Sequence, residues 1–389
     1  MNHSASPFAK IRHELHQHPE LSNQEQNTAQ RIKQLFLEMQ PDKVYENLGG
    51  HGLAFVFQGN EPGPTTLIRC ELDALPIQEI NDLPYKSCID GVSHKCGHDG
   101  HMAIVTALGD LLSQQRPVKG EVICLFQPAE ETGAGAIQVV ADDQFSQLKP
   151  DYCFALHNLP GKPMGQVLCR SGTFNCASRG MIIRLTGKTS HAAHPEDGTS
   201  PAIAMSRLIE GLTNLPEQME GFNLVTVVHA NLGEIAFGTA PADAVVMATL
   251  RTSTNEAMDI LVEKACQMAE QQAQTEGLSL EIEWEDIFGA SVNTEIGYQH
   301  VMQACETAGV EAVTMAEGFR WSEDFGKFTE ICEGAMFALG SGERSPQLHN
   351  PDYDFPDELI PVGFSVFREI VRAINGLNDD PNEAVNSDT

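Results

Sequence analysis

The first half of the sequence alternates between short apolar runs and longer amphipathic segments, and this alternation constrains the fold most strongly. The apolar runs have the length and composition of buried strands, whereas the segments between them carry apolar residues at helical spacing. The predicted strands are 52–58, 66–72, 121–127 and 152–157, and the predicted helices are 24–39, 101–115 and 133–142. Strands that alternate with helices in this way are typical of an α/β layer with a largely parallel sheet.

The pattern changes in the middle of the chain and then returns. Residues 179–284 predict the order β-α-β-β-α-β, which is the ferredoxin-like arrangement. The later predicted elements are helices 295–307, 323–331 and 357–375 and strands 311–315 and 335–339. We therefore expect a mostly parallel α/β domain, formed by residues 1–176 and 289–389 and split by an inserted ferredoxin-like α+β domain, residues 177–288.

The charge balance restricts the partners. The chain has 24 Lys and Arg against 54 Asp and Glu, a formal charge of −30. Nucleic acids and anionic membrane surfaces need a basic footprint, so we expect neither as a partner. No run approaches 18 apolar residues, which predicts no membrane span. Ten scattered cysteines and an N-terminus without an apolar core segment predict reduced thiols in a cytoplasmic protein.

The densest chemical signal is the segment from Cys96 to His101, which reads Cys-Gly-His-Asp-Gly-His. Thiolate and imidazole ligands suit Zn, Mn, Co or Ni better than Ca or Mg. The glycines would let the backbone fold tightly around an ion. The alternative is a buried thiol beside a surface imidazole, and the residues of this segment alone leave both interpretations open.

Further ligand-type side chains follow predicted strands. Glu130 and Glu131 come just after strand 121–127, where one carboxylate could bind a metal while its neighbour acts as a general base. A solvated helix start is the alternative, since acidic groups favour a first turn. His157 closes strand 152–157 and could equally be a core or rim residue. Together with Cys96, His98, Glu131 and His157, the distant His349 would complete a set of five candidate ligands. Such a set would suffice to bind two cations about 3.5–4 Å apart.

Six segments, taken together and in order, resemble those of a known family. They are RHELHQHPEL at 12–21, ELDALP at 71–76, CGHDGH at 96–101, QPAEE at 127–131, SHAAHP at 190–195 and SEDF at 322–325. The family is that of the metal-dependent amidohydrolases and metallopeptidases, which includes hippurate hydrolases, N-acyl-amino-acid deacylases and auxin-conjugate hydrolases. Carboxypeptidase G and the aminoacylases are its relatives. The resemblance extends over about residues 11 to 370.

The resemblance implies a role for each matching residue. The family's ligands for two divalent metal ions fall on Cys96, His98, Glu131, His157 and His349. Its general base falls on Glu130, and Asp73 matches a carboxylate that orients a ligating imidazole. His191, in the inserted domain, matches a histidine that reaches the partner's active site in dimeric relatives, where it stabilises an oxyanion. Arg251 matches an arginine associated with the substrate carboxylate.

Some of these positions have plainer interpretations, and two depart from the family pattern. Arg251 could be a solvated strand-end arginine, and His191 a capping or loop residue. We interpret His101 and His194 as structural or rim residues. Glu71 stands where close relatives usually have Asp and distant ones His, which makes Cys96 the more credible substitute ligand. Gly238 stands where the family often has Asn, so a substrate contact is in question there.

The implied activity is hydrolysis of the amide bond of an N-acyl amino acid, with an acetyl, benzoyl or similar acyl group. Metal ions would activate a water, Glu130 would take its proton, and a homodimer would form through the inserted domain, which would also serve as a lid. A dipeptidase or carboxypeptidase on the same scaffold is the alternative within the family. Outside it, Cys96 could be a nucleophile activated by His98 or His101, or the chain could bind metal without catalysis.

Overall fold

The computed structural model describes residues 6–378, which form two compact units. Residues 1–5 and 379–389 of the predicted larger domain lie outside the described residues. The first unit comprises residues 6–174, 291–317 and 324–378, and the second comprises Asn175–Ala290 and Gly318–Glu323. The sequence-based boundaries assign residues 318–323 to the larger domain. They group with the second unit because the N–H of Cys176 donates to the carbonyls of Phe319 and Trp321.

Helices and strands are numbered in chain order over the described residues. The helices are α1 (Pro7–Gln17), α2 (Gln26–Glu38), α3 (His98–Gln114), α4 (Gly135–Ala141), α5 (Ala202–Asn214), α6 (Asn255–Glu276), α7 (Glu295–Ala308), α8 (Gly326–Thr329) and α9 (Leu359–Asn375). The strands are β1 (Lys43–Leu48), β2 (Gly52–Gln58), β3 (Glu61–Glu71), β4 (Lys119–Gln127), β5 (Tyr152–Leu159), β6 (Val167–Cys169), β7 (Gly172–Asn175), β8 (Ala177–Thr186), β9 (Ser190–His191), β10 (Asn223–Leu232), β11 (Thr239–Ala240), β12 (Asp243–Thr252), β13 (Ser279–Phe288), β14 (Ser291–Asn293), β15 (Ala312–Thr314) and β16 (Glu333–Gly340). Within residues 6–378, no helix has both the length and the apolar character needed to cross a membrane.

The first unit is built around an eight-stranded sheet of order β1-β2-β4-β3-β5-β16-β6-β15. The central strands β4, β3, β5 and β16 are parallel, whereas β1 with β2, β2 with β4, and β16 with β6 are antiparallel. Each of these central strands contains at least six consecutive buried residues, as expected for a sheet with both faces covered. The prediction of a mostly parallel sheet flanked by helices is confirmed.

The carboxyl ends of three parallel strands prepare the candidate site. Strand β3 ends at Glu71, β4 ends at Gln127, and His157 lies near the end of β5. Parallel strands bring their carboxyl ends to one edge of the sheet, where open α/β folds bind ligands. The loops that follow β3 and β4 carry Asp73 and the pair Glu130 and Glu131 to that edge.

The second unit holds an antiparallel sheet of order β10-β12-β8-β13, against which α5 and α6 pack. Buried and less buried residues alternate along β12, which is the period of a strand with one face on a core. The sequence order of these elements is β-α-β-β-α-β, so the predicted ferredoxin-like arrangement is confirmed. Strands β9 and β11 form a separate two-stranded ladder in which His191 pairs with Thr239.

Candidate metal centre

Gly97 determines how the cluster from Cys96 to His101 enters α3. Its φ angle is +94°, a left-handed conformation that glycine adopts without strain. A Cβ at this position would lie 2.5 Å from Oδ1 of Asn158, so a side chain has no room. Helix α3 starts immediately afterwards at His98, and His98 is therefore a buried first-turn residue rather than a surface imidazole.

Asp73 and His98 are joined through the backbone of Asp73. Nδ1 of His98 donates to the carbonyl oxygen of Asp73 at 2.8 Å, which leaves Nε2 to act as an acceptor. The Asp73 carboxylate lies 3.6 Å from the same Nδ1. Its other oxygen accepts from Oγ of Ser22 at 2.7 Å and from the backbone N–H of Glu131 at 3.1 Å. Asp73 thus fixes both His98 and the backbone of Glu131.

Glu130 and Glu131 project from a strained turn that follows β4. Ala129 has φ +52°, which is uncommon for a residue with a side chain, and a single 3₁₀ turn covers Glu130–Thr132. Oε2 of Glu130 lies 3.6 Å from Nε2 of His98, and Oε1 of Glu131 lies 3.9 Å from the same nitrogen. Both carboxylates therefore face one imidazole, which contradicts the interpretation of a solvated helix start.

His157 and His349 reach the same place from other elements. Nε2 of His157 lies 3.3 Å from Sγ of Cys96, while its Nδ1 bonds the carbonyl of Asn158 at 2.8 Å. Nε2 of His349 lies 3.7 Å from Oε2 of Glu131. His349 has φ +65°, and its backbone N–H donates to the carbonyl oxygen of Lys95 at 2.9 Å. Its side chain is 53% exposed. The sulfur lies at the buried end of the cluster and His349 lies at the solvent end.

Possible ligand atoms within 4.8 Å of one another form overlapping groups at this edge of the sheet. Three of these groups are Cys96 with His98 and His157, Cys96 with Glu131 and His349, and His98 with Glu130 and Glu131, and a further group joins His98 to Glu71 and His101. Nε2 of His98 and Oε1 of Glu131 are buried without a hydrogen-bond partner among the described residues. A cation would satisfy both atoms, and the mixed N, O and S donors suit a transition ion such as Zn²⁺.

The protonation equilibria of this cluster are strongly perturbed. Burial raises the pKa of Glu131 to about 7, with Asp73 and Glu71 adding to the effect, although His98 opposes it. Burial would lower the pKa of His98, but its contact with Asp73 and the nearby carboxylates outweigh this and raise that pKa to about 10. Burial and the charges of Glu131 and Glu130 raise the pKa of the Cys96 thiol. A bound divalent cation would favour the deprotonated form of each ligand.

The alternative with Cys96 as a nucleophile finds little support in these contacts. The residue is buried and its pKa is raised, whereas an activated thiol needs a lowered pKa. The imidazole at 3.3 Å belongs to His157 and not to His98 or His101. Nδ1 of His101 instead bonds the Glu71 carboxylate at 2.7 Å, and its Nε2 lies 2.5 Å from Oδ1 of Asn158.

Glu71 is a fully buried carboxylate with two partners. One oxygen pairs with Arg69 and the other bonds His101. Arg69 also bonds Oε1 of Gln127 at 2.9 Å and Asp324 at 2.7 Å. The side chain of Glu71 is longer than that of the Asp expected at this position, and the structure accommodates it by pairing its carboxylate with Arg69 and His101.

A second buried network supports α3 from the N-terminal helix. Oδ2 of Asp99 accepts from Nη1 of Arg12 at 3.1 Å and from Nδ1 of His16 at 2.9 Å. Nε2 of His16 bonds Glu79 at 3.0 Å, and Glu79 also accepts from Nζ of Lys95 at 2.6 Å. Sequence reasoning assigned no role to this network. The four-residue spacing of Arg12 and His16 could have indicated this network, because it places both side chains on one face of a helix.

His191 and Arg251 belong to the second unit. His191 is an exposed residue whose Nδ1 accepts from the N–H of Ala193 at 3.1 Å. Arg251 lies on β12, and its Nη1 donates to the carbonyl of Arg320 and to Oγ of Ser322, both at 3.0 Å. Arg251 is thus held by the segment 318–323 rather than freely solvated. Burial lowers its pKa.

The two remaining positions with open interpretations are also in the second unit. His194 is exposed, with Nδ1 at 3.4 Å from a Glu196 oxygen. The carbonyl of Gly238 accepts from the N–H of Ala192 at 3.0 Å. A Cβ at Gly238 would meet no atom of residues 6–378 within 4 Å, so a larger residue would fit there.

The chain is similar to proteins of known family and structure. Residues 67–373 match the model of the peptidase family M20/M25/M40. The chain is 30% identical to the N-acetylcysteine deacetylase of Bacillus subtilis over 367 residues (92% of this chain and 94% of the relative). It is also 30% identical to the hippurate hydrolase of Campylobacter jejuni over 368 residues (93% and 95%). The B. subtilis YXEP protein, whose crystal structure is described as a dinuclear metal-binding peptidase of the M20 family, superposes with a TM-score of 0.80 at 28% identity (95% and 97%).

Proposed function

This chain belongs to the peptidase family M20/M25/M40 and is an amidohydrolase, and we propose that its substrates are N-acyl amino acids. The support is that two relatives of nearly equal length are named for N-acetylcysteine and hippurate. Both compounds are amino acids that carry an acyl group on nitrogen. The observation in this chain that carries the proposal is the pairing of two carboxylates, Glu130 and Glu131, against one buried imidazole, His98.

We propose two divalent ions, of Zn, Mn, Co or Ni, held by Cys96, His98, Glu131, His157 and His349. Bound ions of this kind lower the pKa of water and polarise an amide carbonyl. Nδ1 of His98 donates a hydrogen bond to the carbonyl oxygen of Asp73, so Nε2 is the nitrogen that can ligate a metal ion. Asp73 orients this imidazole and the Glu131 backbone, as carboxylates behind metal ligands commonly do.

Glu130 is the proposed general base. It adjoins the proposed ligand Glu131 in sequence, and its carboxylate lies 3.6 Å from the imidazole of His98. In the reaction, Glu130 accepts a proton from the attacking water and later delivers it to the leaving nitrogen. One C–N bond breaks, and the products are a carboxylic acid and an amino acid.

We further propose a homodimer in which the second unit forms the contact and His191 stabilises the oxyanion in the partner's site. Strand β10 lies at an edge of its sheet, where its backbone can pair with another strand. The side chains of Ile235 and Phe237 are fully exposed in the same unit, and exposed apolar groups favour association. Arg251 is the proposed partner of the substrate carboxylate. The free cysteines support a reducing compartment, the cytoplasm.

The test is a screen of the purified protein after removal of metal and reconstitution with Zn²⁺, Mn²⁺, Co²⁺ or Ni²⁺ in turn. N-acetyl and N-benzoyl amino acids are compared with dipeptides at equal concentration. We expect kcat/KM to be highest for an N-acyl amino acid. A dipeptide preferred over every N-acyl amino acid would replace the proposed substrate class with that of a dipeptidase. Sedimentation of a fully active monomer would contradict the proposed dimer.

A further inference from the structure

Glu25 is a fully buried carboxylate to which neither the sequence patterns nor the proposed mechanism assigns a role. It lies at the start of α2, as the residue that precedes the first helical turn, but its side chain makes no capping hydrogen bond there. Its Oε1 instead accepts the backbone N–H of Ala129 at 2.8 Å, on the turn that follows β4. The same oxygen accepts the N–H of Asn23 at 2.9 Å.

The contact falls on a strained backbone position beside the metal centre. Ala129 has φ +52°, and the next two residues are Glu130 and Glu131. Non-glycine residues keep a left-handed conformation only when the surroundings fix it, and such residues are concentrated at functional sites. Asn23, the other donor to Glu25, is also left-handed with φ +64°. One carboxylate oxygen therefore bonds two segments of left-handed backbone, of which Ala129 is the strained one, because asparagine tolerates this conformation.

Other contacts to this turn do not replace Glu25. The carbonyl of Ala129 accepts from Oγ1 of Thr132 and from the N–H of Gly135, both at 3.1 Å. These bonds hold the carbonyl side of the residue only. The N–H of Ala129 is buried, so without Glu25 it would lose its hydrogen bond or turn away, and the peptide would relax.

We propose that Glu25 is a positioning residue for the metal centre, since it holds the Ala129 peptide in the conformation from which Glu130 and Glu131 project. The inference rests on the proposed roles of those two carboxylates. Partners behind metal ligands typically change metal affinity or activity by about 10- to 100-fold when they are replaced. This role depends on the position of the accepting oxygen and not on the negative charge, because one oxygen at the Oε1 position is sufficient to bond both backbone N–H groups.

The experiment titrates the metal-free protein with Zn²⁺ and separately measures kcat and KM after reconstitution. Glu25→Asp shortens the side chain by one methylene, which withdraws the accepting oxygen but keeps the negative charge. Aspartate is favoured at a helix start, so the variant is expected to fold. Glu25→Ala removes the oxygen entirely. We expect both variants to bind Zn²⁺ about 10- to 100-fold more weakly and to lose kcat by a similar factor. KM should change by less than about twofold, since Glu25 would not touch substrate.

Glu25→Gln distinguishes geometry from charge. Its amide oxygen can accept both backbone N–H groups, so we expect Zn²⁺ affinity and kcat within about threefold of the wild type. The matched control for Glu25→Ala is Glu20→Ala, since Glu20 bonds the N–H of Thr28 at 2.7 Å at the start of the same helix but does not contact Ala129. This variant should lower the melting temperature and leave Zn²⁺ affinity unchanged.

The outcomes separate this inference from the proposed function. Wild-type Zn²⁺ affinity in both Glu25→Asp and Glu25→Ala would overturn the positioning role. Equal weakening of Zn²⁺ binding in Glu20→Ala would also overturn it, because the effect would then belong to the helix as a whole. A wild-type protein that binds Zn²⁺ but hydrolyses no N-acyl amino acid would overturn the substrate class alone, and the role of Glu25 would be decided by the affinities.

Discussion

Nε2 of His98 lies 3.9 Å from Oε1 of Glu131, and both atoms are buried without a hydrogen-bond partner among the described residues. Buried polar atoms are nearly always paired, so two orphaned atoms that face each other require an explanation. An ion between them would satisfy both. The neighbouring oxygen of Glu130 is 3.6 Å from the same nitrogen, which puts a candidate base beside the candidate ligands.

Replacing Glu130 by Gln should lower kcat by about 10²- to 10⁴-fold and leave metal binding largely intact. The isosteric amide cannot accept a proton, and a general base contributes roughly 10²- to 10⁴-fold to the rate. Metal content measured by atomic emission should remain near the wild-type value. Glu131→Gln is the matched comparison, and it should lose metal as well as activity. Loss of both ions in Glu130→Gln would reassign Glu130 as a ligand.

A chelator should inactivate the enzyme, and Zn²⁺ or Mn²⁺ should restore it. This result follows if the proposed metal-activated water is the nucleophile, whereas a thiol nucleophile at Cys96 would keep working after chelation. Alkylation alone does not separate the two, because Cys96 is also a proposed ligand. Full turnover in the protein freed of metal would favour the cysteine mechanism.

Asp73→Asn should weaken metal binding by about 10- to 100-fold, as replacements behind metal ligands commonly do. The aspartate accepts from Oγ of Ser22 and from the N–H of Glu131, and its negative charge lies 3.6 Å from His98. Ser22→Ala is the milder comparison, since it removes one neutral hydrogen bond. Titration of the metal-free proteins measures both effects. Equal affinities in Asp73→Asn and the wild type would show that only the backbone of residue 73 matters.

Much of the sheet edge that carries the candidate site could be predicted from local sequence patterns. The apolar run 121–127 predicts a strand that ends where β4 ends, at Gln127. Apolar periodicity begins at residue 101 and predicts the start of α3 there, yet the helix begins at His98. Its first turn is polar and glycine-containing, and its start depends on the left-handed Gly97, a feature that periodicity does not report.

Contacts between distant segments could not be predicted in the same way. The pairing of Asp99 with Arg12 joins residues on different helices, and no local pattern specifies it. Glu25 reaches Ala129 across the fold for the same reason. The predicted helix 323–331 was too long: α8 covers only Gly326–Thr329. Asp324, just before it, bonds Arg69 and the N–H of Ala136, so tertiary contacts determine the local structure.

Gly97→Ala should destabilise the fold and impair metal binding. The new Cβ would need φ +94° and would lie 2.5 Å from Oδ1 of Asn158. Strain of this kind costs on the order of 1–3 kcal/mol before any clash is counted. Gly277→Ala is the control, because its φ is +66° but no atom in the described part of the chain lies within 4 Å of the added Cβ. Thermal unfolding should show the larger loss for Gly97→Ala, and equal losses would contradict the predicted clash.

The stability of the first unit should fall between about pH 6.5 and pH 9 because of His16. Burial would lower the pKa of this imidazole, but its bonds to Asp99 and Glu79 outweigh that effect and raise it to about 9. A group whose pKa is raised on folding stabilises the fold fully below its unfolded value, near 6.5, and loses that contribution as the pH passes its folded value. The contribution is at most about 3 kcal/mol at 1.36 kcal/mol per pKa unit. Urea unfolding of the metal-free protein at several pH values should show this decline in the wild type. His16→Gln should be less stable at pH 6 and should show a smaller decline, with the remainder coming from His98, whose pKa is also raised. A wild type and a His16→Gln variant with parallel pH profiles would mean that His16 does not bind its proton more tightly in the folded state.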